Sequence, residues 1–167
     1  ATGIPAALRH AVRKLEGRPD LLTDPAGLVA FGIPEVDAVL GGGLARAALH
    51  EIVAGAETQA PSASGFALAG AGRAAGAGTV LWIAEDMTRL ESGAPYGPGL
   101  DEIGLLPEAV LTVAAAHPRE VLWAMEEALR CRAVGAVVGE VRKPGAVDLV
   151  ASRRLSLAAT RERRIAL

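Results

Sequence analysis

The amino-acid sequence predicts an α/β fold, in which a mainly parallel sheet is flanked by helices. Three continuous apolar runs, Thr79–Ala84, Val110–Ala115 and Val134–Val138, are typical of central strands that are covered on both faces. Helical patterns alternate with these runs, and this alternation predicts parallel strands joined by right-handed crossovers. The chain has 167 residues, of which 51% are hydrophobic. It is therefore long enough for about one domain with a substantial aliphatic core.

An N-terminal helical arm, residues 1–31, is predicted to precede the core domain of residues 32–167. The helix in this arm carries Leu8, Val12 and Leu15 at helical spacing, so that they form one apolar stripe. This stripe either packs on the chain's own core or docks on another protein molecule. Leu8, Val12 and Leu15 are therefore candidates for partner binding.

The other elements can be assigned from local signals along the chain. A short helix begins at Pro34, because proline suits the first helical position and acidic residues follow near the positive end of the helix dipole. After it we predict a strand over Glu51–Ala54, helices over Gly65–Ala75, Leu100–Leu105 and Ala146–Arg163, a helix that begins at Pro118, and a final strand that begins at Ile165. Because the chain stops where this strand has just begun, we expect the natural protein to continue further.

The stretch between the strand Glu51–Ala54 and the helix Gly65–Ala75 has the layout of a phosphate-binding loop. A strand, a loop of small residues over Gly55–Ser64 and a helix N-terminus place backbone amides where they attract anions. A working loop ends in Gly-Lys-Ser or Gly-Lys-Thr, whose lysine contacts phosphates and whose hydroxyl binds magnesium. The layout therefore indicates the scaffold of a nucleotide site.

The residues that would contact a nucleotide are missing from this loop. Ser64, Gly65 and Phe66 stand at its end, and no lysine is near in the sequence. Phe66 places an apolar ring where a cation is required. We interpret Gly55, Ser64, Gly65 and Phe66 as a vestigial nucleotide site, and we expect no cofactor and no ATPase activity.

The acidic residues of a nucleotide site are displaced as well. Gly139 stands where a magnesium-holding aspartate is expected, after the strand Val134–Val138, and Glu140 comes one residue late. Because successive residues of a strand point to opposite faces, Glu140 is expected to be a weak substitute. Glu85, at the end of the neighbouring strand, is expected to be a solvated acid. The sequence predicts no catalytic residue.

Composition narrows the classes of function. The formal net charge of -2 argues against a dominant nonspecific nucleic-acid surface. The single Cys131 forms no internal disulfide, and the three histidines lack the spacing of a zinc site, so no metal is expected. No signal peptide is visible and no uninterrupted apolar run reaches about 18 residues. We therefore expect a cytoplasmic protein that does not enter a membrane.

Five arginines cluster near the end of the chain: Arg153, Arg154, Arg161, Arg163 and Arg164. They either form a solvated helix face or contact an acidic protein partner or a DNA backbone. No aromatic residue interleaves with them, so single-stranded bases have no stacking platform there. Arg153, Arg154 and Arg161 are further candidates for partner binding.

Two tryptophans are predicted to be core residues rather than cofactor contacts. Trp82 lies in the middle of a predicted buried strand. Trp123 borders the apolar face of the helix that begins at Pro118. We expect both rings to be packed.

The order of these segments resembles the core of the RecA recombinase over nearly the whole chain. The matching segments are Leu8–Gly17, Gly32–Leu44, His50–Val53, Ala84-Glu85 and Ala133–Val141. The sequence also resembles the ImuA family of bacterial damage-inducible mutagenesis proteins, in Leu81–Ala84, Val121–Arg130 and Gly135–Gly139. Members of that family are RecA-like and commonly have degraded nucleotide motifs. The resemblance implies a RecA-like P-loop-type core.

The same resemblance implies a non-catalytic accessory protein in SOS-induced, error-prone translesion DNA synthesis. Its implied partners are ImuB, the error-prone replicative-type polymerase and RecA. Self-association is implied as well, because the RecA helix that matches Leu8–Leu15 packs on the next protomer of the filament. RecA contacts DNA through loops after its Walker B strand, and the matching connection here is only the short turn Val141–Ala146. This weakens the case for direct DNA binding.

Two other functions remain open at this point. One is a RecA-like ATPase with an atypical nucleotide site. The other is a cell-division inhibitor of the SulA type, which is also RecA-like without a P-loop and acts on FtsZ. Binding of ATP with magnesium would favour the first, and binding of FtsZ would favour the second.

Overall fold

The computed structural model describes residues 27–142 and 145–167. The elements are, in chain order, β1 (Leu28–Val29), α1 (Pro34–Val39), β2 (Leu44–Ala45), α2 (Ala60–Ala75), β3 (Thr79–Glu85), α3 (Asp86–Ser92), α4 (Gly97–Glu102), β4 (Val110–Ala115), α5 (Pro118–Arg130), β5 (Val134–Glu140), α6 (Leu149–Glu162) and β6 (Ile165–Ala166). Short 3-10 turns over Glu57–Gln59 and Pro107–Ala109 precede α2 and β4. The predicted stripe of Leu8, Val12 and Leu15 lies outside the described residues.

The main sheet has four strands in the order β4-β3-β5-β6, and all three pairings are parallel. Next to β6, Leu49 forms a parallel bridge with Ala166, and the amide of His50 donates to the carbonyl of Ala166 at 2.8 Å. A separate antiparallel pair is formed by β1 and β2. The predicted mainly parallel α/β sheet is therefore confirmed.

Each face of this sheet packs against helices, because β3 and β5 are apolar on both sides. Val80 and Trp82 of β3 belong to a core cluster that includes Leu68 of α2. Leu81 and Ile83 belong to the opposite cluster, which also contains Val121, Met125 and Leu129 of α5 and Leu155 and Ala159 of α6. The result is a layer of α2, the sheet, and a layer of α5 and α6.

The C-terminal end of α2 lies almost in contact with the backbone of β5. A Cβ atom built on Gly135 would be 2.5 Å from the carbonyl oxygen of Ala75, the last residue of α2. A Cβ on Gly78 would be 2.8 Å from the Cα of Gly135. Only glycine fits at these two positions, and their small size lets the helix rest directly on the sheet.

The N-terminal pair of short strands belongs to the same packed unit. Val29 and Phe31, which the sequence assigned to the N-terminal arm, are buried in the cluster on the α2 face. The amides of Phe31 and Gly32 donate to the carboxylate of Asp37 at 2.7 and 2.9 Å. Asp37 therefore fastens the segment after β1 to α1.

Some predicted boundaries are wrong. The last long helix begins at Leu149 rather than Ala146, because Asp148 caps it by accepting from the amide of Ala151 at 2.7 Å. The helix predicted over Leu100–Leu105 is α4, which begins earlier. The strands β3 and β5 continue to acidic residues at their C-terminal ends, Glu85 and Glu140. These two acids lie at the edge of the sheet where ligands bind in open α/β folds.

Candidate functional site

The predicted phosphate loop has a different geometry from the one expected. Residues 51–54 form no strand, and α2 begins at Ala60 rather than Gly65. Pro61 in the first turn supplies the φ angle that starts a helix. As a consequence Ser64, Gly65 and Phe66 lie inside α2, and only Gly55 remains in the exposed loop. The connection between the bridge at Leu49 and α2 therefore covers residues 50–59, and three of the four vestigial residues lie outside it.

Phe66 has a packing role. Its ring stacks on the ring of Phe31, with centroids 4.5 Å apart and planes at 13°. Arg73 lies over the same Phe31 ring at 5.6 Å and donates to the Phe31 carbonyl at 3.0 Å. Phe66 thus packs α2 against the segment after β1, and Arg73 is bound to the same segment.

Glu140 points toward α2, which corrects the expectation that a one-residue shift turns it away. A Cβ on Gly139 would meet the sulfur of Met125 in α5, so position 139 faces the opposite layer. The hydroxyl of Ser64 donates to Oε1 of Glu140 at 2.5 Å and to the Ala60 carbonyl at 3.1 Å. The structure therefore brings together Ser64 and an acid at the C-terminal end of β5, the pairing that a nucleotide site uses to hold magnesium.

Arg142 neutralises part of the acidic edge. Its guanidinium donates to the hydroxyl of Ser92 at 2.6 Å and lies 3.6 Å from Glu91 and 4.0 Å from Glu140. Its amide lies 3.5 Å from Oε1 of Glu85, which is half-buried rather than fully solvated. Among the described residues, the guanidinium of Arg142 thus lies near two carboxylates and its backbone amide near a third, and this excess of negative charge disfavours a polyphosphate.

A cavity of about 320 Å³ opens between α2, α4 and the segment that joins α3 to α4. Its walls are formed by Ser64 and Leu68 of α2, Trp82 of β3, Leu100 of α4, the rim residue Tyr96, and Glu140. Of the described residues that line it, Glu140 alone has a charged side chain. Sequence reasoning missed this cavity, because no local pattern shows which loop lies over α2.

The arginines near the C-terminus do not form one basic surface. Arg154 pairs with Glu126 of α5, and Arg164 donates to the carbonyl of Leu129. Arg161 is exposed and lies 3.7 Å from Glu162, whereas Arg153 is exposed without an ion pair among the described residues. Of the three candidates for partner binding, Arg153 and Arg161 are therefore the more accessible.

The same outer face of α6 carries exposed apolar side chains. Leu149, Val150 and Leu157 are 84%, 67% and 61% exposed. On the adjacent helix α5, Trp123 is 62% exposed, so the prediction that it lies in the core is wrong. Its position is two residues from both Val121 and Met125, which at 100° per residue turns it to the far side of the helix. Trp82, in contrast, is buried as predicted.

The remaining features of residues 27–142 and 145–167 concern metal binding, the cysteine and membrane crossing. This part of the chain holds no group of three His, Cys, Asp or Glu side chains that would bind a metal ion. Cys131 is an exposed free thiol. Among the helices of these residues, none has both the length and the apolar character needed to cross a membrane.

Comparisons with known proteins place these features in context. No protein-family model matches the chain. The chain is 33% identical over 139 residues to "Protein ImuA" of two strains of Caulobacter vibrioides, which covers 80% of this chain and 53% of each relative. The chain thus spans about half the length of the curated relatives that it matches.

Among solved structures, the chain is similar to the crystal structure of SulA from Pseudomonas aeruginosa. The TM-score is 0.52 at 22% sequence identity, and the match covers 71% of this chain and 93% of SulA. At this identity the similarity concerns the fold. It agrees with a mixed α/β architecture built on a mostly parallel sheet.

Proposed function

Because the chain belongs to the ImuA family, we propose that it is a non-catalytic accessory protein in SOS-induced, error-prone translesion DNA synthesis. In this proposal the chain has a RecA-like core and works in the cytoplasm through contacts with other proteins. ImuB, the error-prone polymerase and RecA are its proposed partners. The observation that carries the proposal is the outer face of α6, which exposes Leu149, Val150 and Leu157 beside Arg153 and Arg161.

Such a face fits a protein partner for two reasons. Apolar side chains that are exposed together on one side of a helix are a feature of protein interaction sites. The accessible arginines among them complement an acidic partner and favour rapid association. We therefore assign this face, defined by Leu149, Val150, Arg153, Leu157 and Arg161, as the α6 face through which a partner is bound.

A second contact is proposed for the N-terminal stripe of Leu8, Val12 and Leu15. Its helical spacing leaves three apolar side chains on one side of the predicted helix. Self-association or docking on RecA would bury them. Changing all three to serine, and measuring both self-association and RecA binding, separates this contact from the α6 face.

The absence of ATPase activity is supported by the acidic edge of the sheet. Glu91 and Glu140 lie near the guanidinium of Arg142 and Glu85 near its backbone amide, and α2 begins before the position where a phosphate-contacting lysine would stand. Calorimetry with ATP and magnesium tests this part of the proposal. Saturable heat together with phosphate release would overturn it.

The proposed partners are tested by immobilising this protein and passing ImuB, RecA and the polymerase over it. We expect the double variant Leu157→Ser/Arg161→Glu to weaken binding of at least one of them about tenfold, because loss of a central contact costs more than about 1 kcal/mol. Arg132→Glu is the matched control, since Arg132 is an exposed arginine that precedes β5. FtsZ serves as the competing partner: binding of FtsZ alone would replace the proposal by a division-inhibitor role.

A further inference from the structure

We propose that the cavity between α2 and α4 is a binding pocket for a short peptide segment that carries an arginine or lysine. This α2–α4 cavity lies at the carboxyl edge of the sheet, whereas the α6 face is on the opposite helical layer. The inference therefore goes beyond the proposed function and does not depend on it.

The dimensions and walls of the cavity suit a small occupant that has both apolar and polar groups. Its volume of about 320 Å³ is at the lower end of the range for ligand pockets. Leu68 and Leu100 are buried in the core and provide apolar walls. The opposite wall, Ser92–Pro95, consists of small side chains, which leave room for a main chain to approach.

Trp82 supplies an unused hydrogen-bond donor. The residue is 2% exposed, and its indole nitrogen Nε1 has no hydrogen-bond partner in the described part of the chain. A buried N–H group without an acceptor is unfavourable, and such groups in native proteins are normally satisfied. Trp82 lines the cavity. Nε1 itself has almost no accessible surface, so a main-chain carbonyl of an occupant reaches it after a small shift of the neighbouring side chains.

Glu140 determines the charge of the occupant. Its side chain is 17% exposed, and Ser64 donates to one of its oxygens. Arg142 lies 4.0 Å away and has its shorter contact with Ser92, so it does not saturate the carboxylate. Within residues 27–142 and 145–167, no cationic side chain lines the cavity itself. A phosphate is therefore repelled, and an arginine or lysine side chain is attracted.

Glu140 and Trp82 are placed so that one occupant reaches both. Trp82 is paired in register with Val138, and Glu140 is two residues further along the same strand. The two side chains thus lie on the α2 face of the sheet, offset by one strand spacing and two residues, a separation of about 8 Å between Cα atoms. One residue of a peptide spans this distance, with its carbonyl near the indole and its cationic group near the carboxylate.

The test uses the indole N–H signals of the ¹⁵N-labelled protein, because the chain has two tryptophans and only one lines the cavity. Trp123→Phe assigns the two signals, and in the unmodified chain Trp123 is the internal reference. The probe is N-acetyl-arginine-N-methylamide. We expect a saturable shift of the Trp82 signal alone, with a Kd of about 1 mM for a ligand of this size.

Two comparisons isolate the role of charge. The neutral isostere N-acetyl-citrulline-N-methylamide should bind about tenfold more weakly, because it lacks the ion pair. Glu140→Gln should weaken the arginine probe to the level of the citrulline probe and leave the citrulline probe unchanged. Glu85→Gln is the matched control, since Glu85 ends the neighbouring strand but does not line the cavity, and it should leave both affinities unchanged.

Three results would overturn the inference. The first is an unmoved Trp82 signal at probe concentrations well above the expected Kd. The second is equal affinity for the arginine and citrulline probes. The third is a larger Trp82 shift with ATP and magnesium or with adenosine, which would make the cavity a nucleotide pocket.

Discussion

Replacement of Gly139 by alanine is predicted to destabilise the protein by forcing two layers apart. A Cβ at this position would be 2.1 Å from Sδ and 2.9 Å from Cε of Met125. Met125 is buried in the cluster formed by β3, β5, α5 and α6, so its side chain has little room to move. Overpacking of this kind costs about 1–3 kcal/mol. Part of this loss is offset by alanine's smaller entropy cost in a strand, about 0.5–1 kcal/mol.

The net expectation for Gly139→Ala is a loss of about 1 kcal/mol in the free energy of unfolding. For a chain of this length each kcal/mol lowers Tm by about 2–4 °C. Urea unfolding followed by circular dichroism measures the loss as a lower midpoint at an unchanged m-value. A Gly139→Ala protein as stable as the parent would refute the packing of position 139 against α5.

Two variants make the measurement specific. Gly65→Ala is the matched control, because Gly65 lies inside α2 and its added Cβ would have no neighbour within 4 Å. This control should gain about 0.5–1 kcal/mol from helix propensity. Combining Gly139→Ala with Met125→Ala should cost less than the sum of the two changes, because the clash is removed. Additive costs would contradict the contact between Gly139 and Met125.

The remaining predictions concern a hydrogen-bonded turn, a helix cap and two indole rings. Asp37→Ala removes the acceptor for two backbone amides and should lower the free energy of unfolding by about 1–3 kcal/mol. The control Glu35→Ala, on the exposed side of the same helix, should change this free energy by less than about 0.5 kcal/mol. Asp148→Ala removes the cap of α6 and should cost about 1 kcal/mol in urea unfolding; an unchanged midpoint would exclude the cap. Acrylamide should quench the native protein's fluorescence readily but that of Trp123→Phe poorly, because the remaining Trp82 is buried; equal quenching of the two proteins would contradict the packing of Trp82.

The architecture of the sheet was predictable from the sequence because its strands are continuous apolar runs. Such runs can be recognised without knowing which segments pack on them, because both faces of a parallel strand are covered by helices and nearly all of its side chains are apolar. Pro34 likewise marked the start of α1 correctly. The start of α2 was not predicted, because alanine, serine and glycine around Ser64 are compatible with both a loop and a helix, and Pro61 decided in favour of the helix.

The candidate site was less predictable, because it depends on the face of the sheet toward which the last side chain of each strand points. The direction of the Glu140 side chain was predicted by matching Val134–Val138 to the strand that ends in a magnesium-holding acid. An error of one residue in such a match reverses the predicted direction of a side chain on a strand. Trp123 was judged from its proximity to apolar neighbours, although its angle around α5 places it in solvent. The cavity near Trp82 depends on contacts between segments far apart in sequence, which periodicity does not reveal.

The glycine contact beneath α2 has a mechanical consequence. With 16 residues, α2 is a helix about 24 Å long. Gly135 and Gly78 let its C-terminal end lie in close contact with the sheet. Any side chain at Gly135 would push the C-terminal end of α2 away from the sheet. Because the helix is rigid, its N-terminal end would move as well. The distance between Ser64 and Glu140 would then change although neither residue was altered. A substitution at Gly135 or Gly78 should therefore change the geometry of the α2–α4 cavity, although both residues are distant from it. Exposed positions in the first turn of α2 can vary without moving the helix.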